Sequence, residues 1–335
     1  MNVLVIGGSG ALGQAVIRQF QQSGATVRSF DLQPHPDSEV EQQIGDLRDL
    51  AALTTACWGM DVVVHTASLV SQKLGTPPAL YEVNVRGTEN VIQVCQAKGV
   101  GKLIYTSSID VVFDGSPISD GDESLPYPQH HLDYYGTTKM LAEQAVLAAN
   151  GVKGLATCSL RVAGLYGPGD KQRFPRVIDS IFTQKAVTRM GDGKARFNHL
   201  YIDNAAYAHQ LAAEALPSRA GGEAYFITDY AATNFFDFID SFVKALGLPF
   251  ETRTMPYVAV RAIAEILELR HRLNPAKDTI DLSLYVVEST CKDFCFKHDK
   301  ATRDLGYVPR VSQQEAFDRT LAWIQDWITM QGLKY

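Results

Sequence analysis

The sequence has no apolar run long enough to span a membrane, no internal repeat and no low-complexity tract. The stretch 257–273 comes nearest, but Arg261, Glu265 and Arg270 interrupt its apolar positions and exclude a transmembrane span. The chain begins directly with a predicted strand, so we expect no secretory signal. With 335 residues, it is long enough for one large or two modest domains with a sizeable core.

Cysteine is also scarce. The five cysteines are scattered and odd in number, which indicates reduced thiols rather than a disulfide framework, and we expect a cytoplasmic protein. Cys291, Cys295 and His298 lie close in sequence, but a tetrahedral site would need a fourth ligand, and we predict no metal. The net charge of −6, from 37 acidic and 31 basic residues, disfavours a nucleic-acid partner.

The start of the chain has the pattern of a dinucleotide-binding loop. An apolar run rich in β-branched residues, 2–6, is followed at once by Gly7, Gly10 and Gly13 and then by a helical pattern. In such a loop one glycine makes the turn, one lets backbone amides approach a pyrophosphate, and one allows close helix packing. The predicted cofactor contacts here are Gly7, Gly10, Ala11, Leu12 and Gly13.

Carboxylates after the next strands are placed to recognise an adenosine. Asp31 ends the second strand, 18 residues after Gly13. A carboxylate there can accept both ribose hydroxyls and would repel a 2′-phosphate, which favours NAD over NADP. Asp46 could accept from the adenine amino group and Leu47 could cover the ring, although ordinary turn chemistry explains this second segment equally well.

Two later strands end in small or hydroxylated residues. The apolar run 61–65 delivers Thr66 and Ala67 to the same sheet edge, where small side chains leave room for a cofactor. His65 inside that run is expected to be a packed core histidine rather than a base. The strand 102–108 ends in hydroxyls, at the edge where ligands collect in open α/β sheets.

Tyr135 and Lys139 have the spacing of a proton-transfer pair. They are four residues apart at the start of a predicted helix, so they lie on one face. A cation within a few ångströms could lower the pKa of a tyrosine by roughly 1–3 units from about 10. That would make the phenol a proton shuttle usable near neutral pH. The pair alone arises often by chance, and its weight comes from the motifs before it.

The glycine pattern, the strand end Tyr105-Thr106-Ser107-Ser108 and the later Tyr-x-x-x-Lys together resemble the extended short-chain dehydrogenase/reductase superfamily. The segments 105–108, 133–135 and 139–150 resemble its 3β-hydroxysteroid dehydrogenase branch, and sterol-4α-carboxylate 3-dehydrogenases look most similar. One departure is Val162, where the family usually has proline after the arginine. The resemblance covers nearly the whole chain, continuing through 160–161, 166–170, 201–206 and 305–309.

The resemblance implies roles for individual residues. Tyr135 would take or give the hydroxyl proton of a secondary alcohol, Ser108 would hold its oxygen, and Lys139 would lower the tyrosine pKa and contact the nicotinamide ribose. Ser107 adjoins Ser108, but successive strand residues face opposite sides, and we assign the catalytic role to Ser108. The predicted cofactor contacts also include Asn84, Tyr135 and Lys139.

The resemblance implies an NAD(P)-dependent oxidoreductase acting on a bulky apolar substrate, first a 3β-hydroxysteroid or a 4-carboxysterol. A β-keto acid formed from a carboxylated substrate can lose carbon dioxide without another catalytic residue. Three alternatives stay open. A 2-alkyl-3-oxoalkanoate reductase would be expected to prefer NADPH, which Asp31 disfavours. A nucleotide-sugar epimerase or dehydratase would need a diphosphate clamp. A non-catalytic dinucleotide-sensing protein would have no need of the proton relay.

The alternation of strands and helices predicts the α/β class, with a Rossmann doubly wound parallel sheet and a smaller, discontinuous α+β substrate-binding lobe. We place the NAD-binding domain at 1–163 plus about 197–224, and the substrate lobe at about 164–196 and 225–335. The segment 113–133 has neither helical nor strand period and is predicted to be an active-site loop.

The later part of the chain carries less specific signals. Asp203 is expected to cap a helix over 205–216, and 282–296 has the pattern of a strand. Arg173 and Arg176 are expected to be surface charges, although in nucleotide-sugar enzymes of this superfamily basic residues there can meet a diphosphate.

The amphipathic stretch 257–273 allows two interpretations. The simpler is a helix packed on the substrate lobe; the other is an interfacial helix that makes peripheral membrane contact and admits a lipid substrate, with positive charge at 270–272. The resemblance further implies a homodimer, formed through helices that include 81–97 and 139–149.

Overall fold

The computed structural model describes residues 1–70, 77–171, 173–184, 186–248, 250–274 and 282–332. In chain order the strands are β1 (Asn2–Ile6), β2 (Thr26–Asp31), β3 (Glu41–Ile44), β4 (Val62–His65), β5 (Lys102–Ser108), β6 (Ile118–Gly121), β7 (Ala156–Val162), β8 (Gly164–Tyr166), β9 (Ala186–Met190), β10 (His199–Tyr201), β11 (Ala224–Ile227), β12 (Glu251–Met255) and β13 (Phe294–Phe296).

The α-helices alternate with these strands. They are α1 (Ala11–Gln22), α2 (Leu50–Ala56), α3 (Pro78–Tyr81), α4 (Gly87–Lys98), α5 (Tyr134–Ala148), α6 (Phe174–Gln184), α7 (Ile202–Ala215), α8 (Phe235–Ala245), α9 (Tyr257–Leu273), α10 (Leu284–Cys291), α11 (Asp299–Leu305) and α12 (Gln313–Met330). A π-helical segment, Glu82–Arg86, joins α3 to α4, and short 3-10 turns cover Ile109–Val112 and Val152–Gly154.

A seven-stranded parallel sheet lies at the centre, in the order β11-β7-β5-β4-β1-β2-β3. Because successive strand residues point to opposite faces, β1 contributes to two cores. Val3 and Val5 belong to the cluster that includes α1 and α7, whereas Leu4 and Ile6 belong to the cluster that includes α4 and α5. Helices therefore cover both faces, and the predicted α/β Rossmann class is confirmed.

A third apolar cluster lies among the helices of the second half of the chain. It joins helices α6, α8 and α12 through buried residues such as Phe174, Phe242 and Ile324. Three two-stranded sheets, β10-β8, β12-β9 and β13-β6, connect the segments around it. These pairings join strands that are far apart in sequence.

The central sheet extends past the boundary predicted at 224. Ala224–Ile227 pairs in parallel with Ser159–Val162, so β11 is the edge strand of the seven-stranded sheet. The predicted start of the substrate lobe at 225 therefore cuts through a strand of the cofactor side. Apart from this edge, the division into two lobes stays a prediction.

The strand predicted over 282–296 is wrong for most of its length. Residues Leu284–Cys291 form α10, which begins after Ser283, whose Oγ accepts a hydrogen bond from Val286 N at 3.3 Å. The β-branched and aromatic residues favour a strand, but a serine N-cap and packing against α9 favour the helix. Only Phe294–Phe296 is a strand.

Asp203 does not cap α7. The helix begins at Ile202, with Tyr201 at the N-cap position, so Asp203 already lies in the first turn. Its carboxylate instead lies 3.2 Å from the guanidinium of Arg319 and 3.6 Å from that of Arg18. The residue therefore links α7 to α1 and α12.

The predicted active-site loop 113–133 contains a strand. Ile118–Gly121 forms β6, which pairs with β13, and Glu123 Oε1 accepts from Phe226 N of β11 at 2.7 Å. The segment covers the edge of the main sheet, and among its described residues only Asp133 lines the main cleft. The expectation of a strandless loop over the site is wrong.

In the described ranges, no helix combines the length and the apolar character that crossing a membrane would demand.

Candidate active site

The main cleft of the protein has a volume of about 590 Å³ and opens at the carboxyl ends of the central strands. Ser108 ends β5, Val162 ends β7, and Gly10 lies in the loop after β1, and all three line the cleft. Five predicted site residues line it: Gly10, Ala11, Leu12, Ser108 and Tyr135.

The glycine loop has the geometry that a dinucleotide phosphate requires. Gly7 has a φ of 86°, in the left-handed region. A Cβ on Gly13 would lie 2.0 Å from Gly7 O, so only glycine permits this contact between helix and strand. Among the described residues no side chain caps the start of α1, where Gly10 is the N-cap. The first amides of α1 can therefore bind an anion in the cleft, and the loop fits a dinucleotide.

Asp31 ends β2 directly beside this loop. Its Oδ2 accepts from Ser9 N at 3.1 Å, and its Oδ1 accepts from Gln33 N at 3.2 Å. These contacts fix the carboxylate at the strand end where an adenosine ribose would lie. The position agrees with the predicted role, which stays a prediction.

Asp46 and Leu47 lie further along the same edge. The carboxylate of Asp46 is paired with Arg48, which donates to Asp46 Oδ2 at 2.6 Å and lowers the pKa of the aspartate. Leu47 is buried, and a Cβ on Gly87 would lie 1.6 Å from its Cδ1. Turn and packing chemistry therefore account for both residues, and their cofactor contacts stay a prediction.

Thr66 and Ala67 pack against the glycine loop. Thr66 Oγ1 donates to Ile6 O at 2.9 Å, and a Cβ on Gly7 would lie 2.6 Å from Ala67 N. His65, just before them, is buried and bonds through Nε2 to Thr88 Oγ1 at 3.0 Å, and burial lowers its pKa to about 3. It is the packed core histidine that the sequence indicates.

Asn84 lies in the π-helical segment and joins three elements. Its Oδ1 accepts from Leu69 N at 2.8 Å and Ser68 Oγ at 3.2 Å, while its Nδ2 donates to Leu69 O at 3.0 Å and Thr138 Oγ1 at 3.1 Å. These contacts hold the chain after β4 against α5, which carries Tyr135. Asn84 thus positions the walls of the site, and its predicted cofactor contact stays a prediction.

Ser108 is part of a hydrogen-bonded chain that the sequence does not reveal. Its Oγ donates to Asp110 Oδ2 at 2.6 Å, and Tyr285 Oη donates to Asp110 Oδ1 at 2.7 Å. Burial raises the pKa of Asp110, and these two hydrogen bonds partly offset the rise. Because Tyr285 belongs to α10, this helix helps to orient the predicted catalytic serine. Ser107 is buried and does not line the cleft.

Tyr135 and Lys139 lie in the first turns of α5, but the lysine does not depress the tyrosine pKa. Lys139 Nζ donates to Thr106 O at 2.6 Å and lies 4.2 Å from the centroid of the Tyr105 ring. Burial raises the pKa of Tyr135, and the carboxylates of Asp110 and Asp133 raise it further. Burial also lowers the pKa of Lys139 to about 7. The expected lowering of the Tyr135 pKa is therefore wrong for the protein alone.

Asp133 caps α5 at the edge of the cleft. Its Oδ1 accepts from Gly136 N at 2.8 Å, and its Oδ2 is buried without a partner among the described residues. Burial raises the pKa of Asp133 to about 7, and the charge of Asp110 adds to the effect. The cleft thus contains two carboxyl groups that hold protons more tightly than usual.

Arg173 is a further cleft residue whose surroundings the sequence does not indicate. It was expected on the surface, yet it lies between the rings of Phe197, Phe235 and Phe238 and lines the cleft. Burial lowers the pKa of Arg173. The one available signal is the density of phenylalanines at 235, 236 and 238, which a single sequence does not connect to residue 173.

Cys291, Cys295 and His298 do not converge. His298 Nδ1 bonds to Thr228 Oγ1 at 2.7 Å, whereas Cys291 lies beside Gly191. Over the described ranges, no group of three or more His, Cys, Asp or Glu residues has the arrangement of a metal site.

Comparison with known proteins places this site in a family. Residues 4–257 match the model of the 3-beta hydroxysteroid dehydrogenase/isomerase family. The chain belongs to that family. The predicted membership in the extended short-chain dehydrogenase/reductase superfamily and its 3β-hydroxysteroid dehydrogenase branch is thereby confirmed.

Three similar proteins illustrate the range of this family. Short-chain dehydrogenase/reductase family 42E member 1 of Homo sapiens is 37% identical over 330 residues, covering 91% of this chain and 83% of that protein. The 2-alkyl-3-oxoalkanoate reductase of Stenotrophomonas maltophilia is 35% identical over 329 residues, covering 96% and 99%. The 3 beta-hydroxysteroid dehydrogenase/Delta 5-->4-isomerase of Mycobacterium tuberculosis is 35% identical over 334 residues, covering 96% and 90%.

Solved structures share the fold at lower identity. The UDP-glucose 4-epimerase of Thermus thermophilus, in complex with NAD, is 21% identical with a TM-score of 0.74, covering 97% of this chain and 99% of that one. The family model and the related proteins make this member of the 3-beta hydroxysteroid dehydrogenase/isomerase family a dinucleotide-dependent oxidoreductase.

Proposed function

We propose that this enzyme is a dehydrogenase that uses NAD to interconvert a secondary alcohol and a ketone on a bulky apolar substrate. One observation carries the proposal. A glycine loop with an uncapped helix start and the hydroxyls of Ser108 and Tyr135 line the same cleft, at the carboxyl ends of the strands. A non-catalytic dinucleotide-binding protein would not need the hydroxyls of Ser108 and Tyr135 in that cleft.

The residues of the chain divide the chemistry among them. Tyr135 takes the hydroxyl proton during oxidation and returns it during reduction, while Ser108 holds the substrate oxygen by a hydrogen bond. Lys139 of α5 holds a proton close to the Tyr105 ring and the Thr106 carbonyl, and its pKa of about 7 lets it give up that proton near neutral pH. The nicotinamide, when bound, supplies or accepts the hydride. Asn84 holds the segment after β4 against α5, which keeps the reacting groups in place.

We propose NAD rather than NADP because of Asp31. Its carboxylate is fixed at the end of β2 by the amides of Ser9 and Gln33. A 2′-phosphate in that position would meet a negative charge with no cation beside it in those contacts, whereas ribose hydroxyls would find an acceptor.

The first substrate class we propose is a 3β-hydroxysteroid or a 4-carboxysterol, as in sterol-4α-carboxylate 3-dehydrogenases. The family description and the name of the Mycobacterium tuberculosis relative support a steroid. The cleft also has the apolar walls that such a substrate requires, including Met190, Phe197, Phe235 and Phe294.

A second candidate is a 2-alkyl-3-oxoalkanoate reductase. The Stenotrophomonas maltophilia relative with that name aligns over 99% of its length at 35% identity. The same apolar cleft could hold two alkyl chains, and the same Ser108 and Tyr135 would serve reduction. The proposed preference for NAD separates the two candidates, because such a reductase would be expected to use NADPH.

The surface of α9 supports a proposal about location. Val260 and Ala264 are buried against α10, whereas Val258, Ile266, Leu269 and Leu273 are 77%, 65%, 58% and 80% exposed. We propose a cytoplasmic protein that touches membranes peripherally through this face. Co-sedimentation with anionic lipid vesicles should be lost in a variant carrying Ile266→Asn and Leu269→Asn; equal binding by the variant would contradict the proposal.

We propose a homodimer formed through α4 and α5, the assembly that the resemblance implies. Analytical ultracentrifugation measures it directly. A sedimenting species with twice the 36.8 kDa chain mass is expected, and a monomer at micromolar concentration would rule the proposal out.

The experiment that tests the function is NADH formation followed by absorbance. NAD and NADP are supplied separately with 3β-hydroxysteroids, 4α-carboxysterols and 2-alkyl-3-hydroxy acids. Turnover of a sterol with NAD is the expected result. Turnover of the hydroxy acids only with NADP would favour the reductase, and turnover of UDP-sugars without net NADH would favour an epimerase.

A further inference from the structure

Arg173 stands in the wall of the cleft with its backbone held in place. Asp170 Oδ1 accepts from Arg173 N at 3.1 Å, and Asp170 Oδ2 accepts from Phe174 N at 3.1 Å, where α6 begins. The carboxylate of Asp170 thereby organises the helix start. The Arg173 side chain leaves this turn and enters the aromatic wall of the cleft.

The guanidinium of Arg173 has a neutral partner. Its Nη1 donates to Nδ1 of His199 at 2.9 Å, and a nitrogen that accepts such a bond carries no proton. Burial and the charge of Arg173 keep the pKa of His199 well below its usual value. His199 is in turn stacked on Phe238 at 3.6 Å between ring centroids. The histidine therefore orients the arginine without neutralising it.

Aromatic rings provide the rest of its surroundings. The guanidinium carbon lies 5.9, 5.5 and 5.9 Å from the ring centroids of Phe197, Phe235 and Phe238. Cation–π contacts of this kind offset part of the cost of removing the charge from water, but they leave most of its hydrogen-bond donors unused.

Gly164 leaves room for the guanidinium of Arg173. A Cβ on Gly164 would lie 2.5 Å from Arg173 Nη2, so a larger residue there would force the guanidinium to shift. Across the described ranges, no carboxylate pairs with Arg173 at ion-pair distance. The charge of Asp170 opposes the fall in the Arg173 pKa, but burial outweighs it, and a bound anion would offset part of the remaining cost.

We propose that Arg173 binds a carboxylate carried by the substrate, so that the preferred substrate is an apolar hydroxy acid rather than a neutral alcohol. This inference rests on the proposed dehydrogenase function. An arginine can hold a carboxylate through two parallel hydrogen bonds, which would also fix the orientation of the substrate.

The position of Arg173 relative to the reacting groups suits such a substrate. Tyr285 lines the same cleft and connects through Asp110 to Ser108, with hydrogen bonds of 2.7 and 2.6 Å. A molecule that reaches Ser108 with its hydroxyl therefore lies in the same cleft as the guanidinium of Arg173. Both 4-carboxysterols and 2-alkyl-3-hydroxy acids carry a carboxylate on the carbon beside the carbinol, whereas plain 3β-hydroxysteroids do not.

The test compares an acid with its own methyl ester. The wild-type enzyme with NAD should oxidise a 4α-carboxysterol or a 2-alkyl-3-hydroxy acid with a kcat/KM roughly 10–100-fold above that of the ester. Arg173→Gln should lower kcat/KM for the acid by roughly the same factor, mainly through KM, and change the value for the ester by less than about threefold. Arg173→Lys should recover part of the loss.

A matched control separates a specific contact from a change in net charge. Arg253, on β12, is exposed and lies outside the residues that line the cleft. Arg253→Gln alters the charge equally and should leave the preference for the acid intact. Thermal unfolding and NAD affinity, measured for each variant, verify that the fold and the cofactor site persist.

Direct binding keeps the inference testable if neither compound is turned over, which would sink the proposed function. Calorimetric titration with the 2-alkyl-3-hydroxy acid should then still be roughly 10–100-fold weaker for Arg173→Gln than for the wild type. Equal binding of the acid by both proteins, or no preference of the wild type for acid over ester, overturns the inference. Tight binding of UDP that Arg173→Gln abolishes, with binding of the acid unchanged, would assign the site to a diphosphate and overturn it too.

Discussion

Two arginines, Arg161 in the central sheet and the half-buried Arg173 in the cleft wall, have very different surroundings. Arg161 lies on β7 inside the central sheet, and Glu143 of α5 accepts from its Nη2 at 2.8 Å and from its Nε at 3.0 Å. Arg173 lies in the cleft wall, where its one side-chain partner among the described residues is neutral His199. Both guanidinium groups also lie near aromatic rings.

The charge of Arg161 is paired within the fold, whereas we infer that the charge of Arg173 pairs with a ligand. Glu143 is fully buried and also accepts from Ser159 Oγ and Tyr127 Oη, each at 2.7 Å, so the charge of Arg161 is matched within the protein. Arg173 has the aromatic lining without the carboxylate. Arg161 is thus neutralised within the fold, whereas the guanidinium of Arg173 faces the cleft.

The largest expected effect comes from breaking the matched pair. Glu143→Gln leaves Arg161 buried beside a neutral amide, and it should lower the free energy of unfolding by about 3–5 kcal/mol in chemical denaturation. The exposed pair of Arg86 and Glu89 is the control, since Glu89→Gln should cost at most about 1 kcal/mol. Arg173→Gln should also be mild. Equal losses for Glu143→Gln and Glu89→Gln would contradict the contrast.

On the cofactor side, Asp31→Ala should change coenzyme choice. Removing the carboxylate that accepts from Ser9 N deletes the ribose acceptor and the repulsion of a 2′-phosphate. The ratio of kcat/KM for NAD to that for NADP should fall by roughly 10–100-fold. An unchanged ratio would make Asp31 a turn residue only.

The substitution Tyr285→Phe should lower kcat without changing the affinity for NAD. The phenol donates to Asp110, which holds Ser108, so its loss frees the serine to rotate. We expect kcat to fall by about tenfold, the effect of one hydrogen bond to a charged group. NAD affinity, measured by fluorescence titration, should stay constant. A normal kcat would detach Tyr285 from the reaction.

The buried ammonium group of Lys139 should make the free energy of unfolding depend on pH. Burial lowers its pKa to about 7 in the fold, while the unfolded chain keeps a pKa of about 10.4. Above pH 7 the unfolded state therefore binds more protons, and stability rises with pH. Between pH 7 and 8 this adds about 1 kcal/mol to the free energy of unfolding. Denaturation of Lys139→Met should lack that rise; an identical pH slope would contradict the assignment.

The Rossmann fold of the first half could be predicted from the sequence because its signals are local. Strand, glycine loop and helix follow one another within residues 2–22, and Ser108 and Tyr135 lie at element ends that a parallel sheet brings together. Local rules failed where tertiary contacts decide the outcome. The strand β6 pairs with β13, more than 170 residues later, and α10 packs against α9 rather than extending as a strand.

The pKa of Tyr135 could not be predicted from spacing for a related reason. The four-residue separation from Lys139 is correct, but burial and the carboxylates of Asp110 and Asp133 outweigh the cation. The position of Arg173 was missed because three phenylalanines from other segments enclose it. A charged residue such as Arg173 is predicted to be exposed to solvent unless the residues around it in space are known.

The most direct test of the whole account is Tyr135→Phe, assayed for both turnover and NAD binding. The variant keeps the aromatic ring and loses only the hydroxyl group whose proton the reaction transfers. We predict that turnover of the hydroxy substrate falls by roughly 100–10,000-fold while the Kd for NAD stays within about twofold. Near-normal turnover in a correctly folded variant would contradict the assignment of this cleft as the site of reaction.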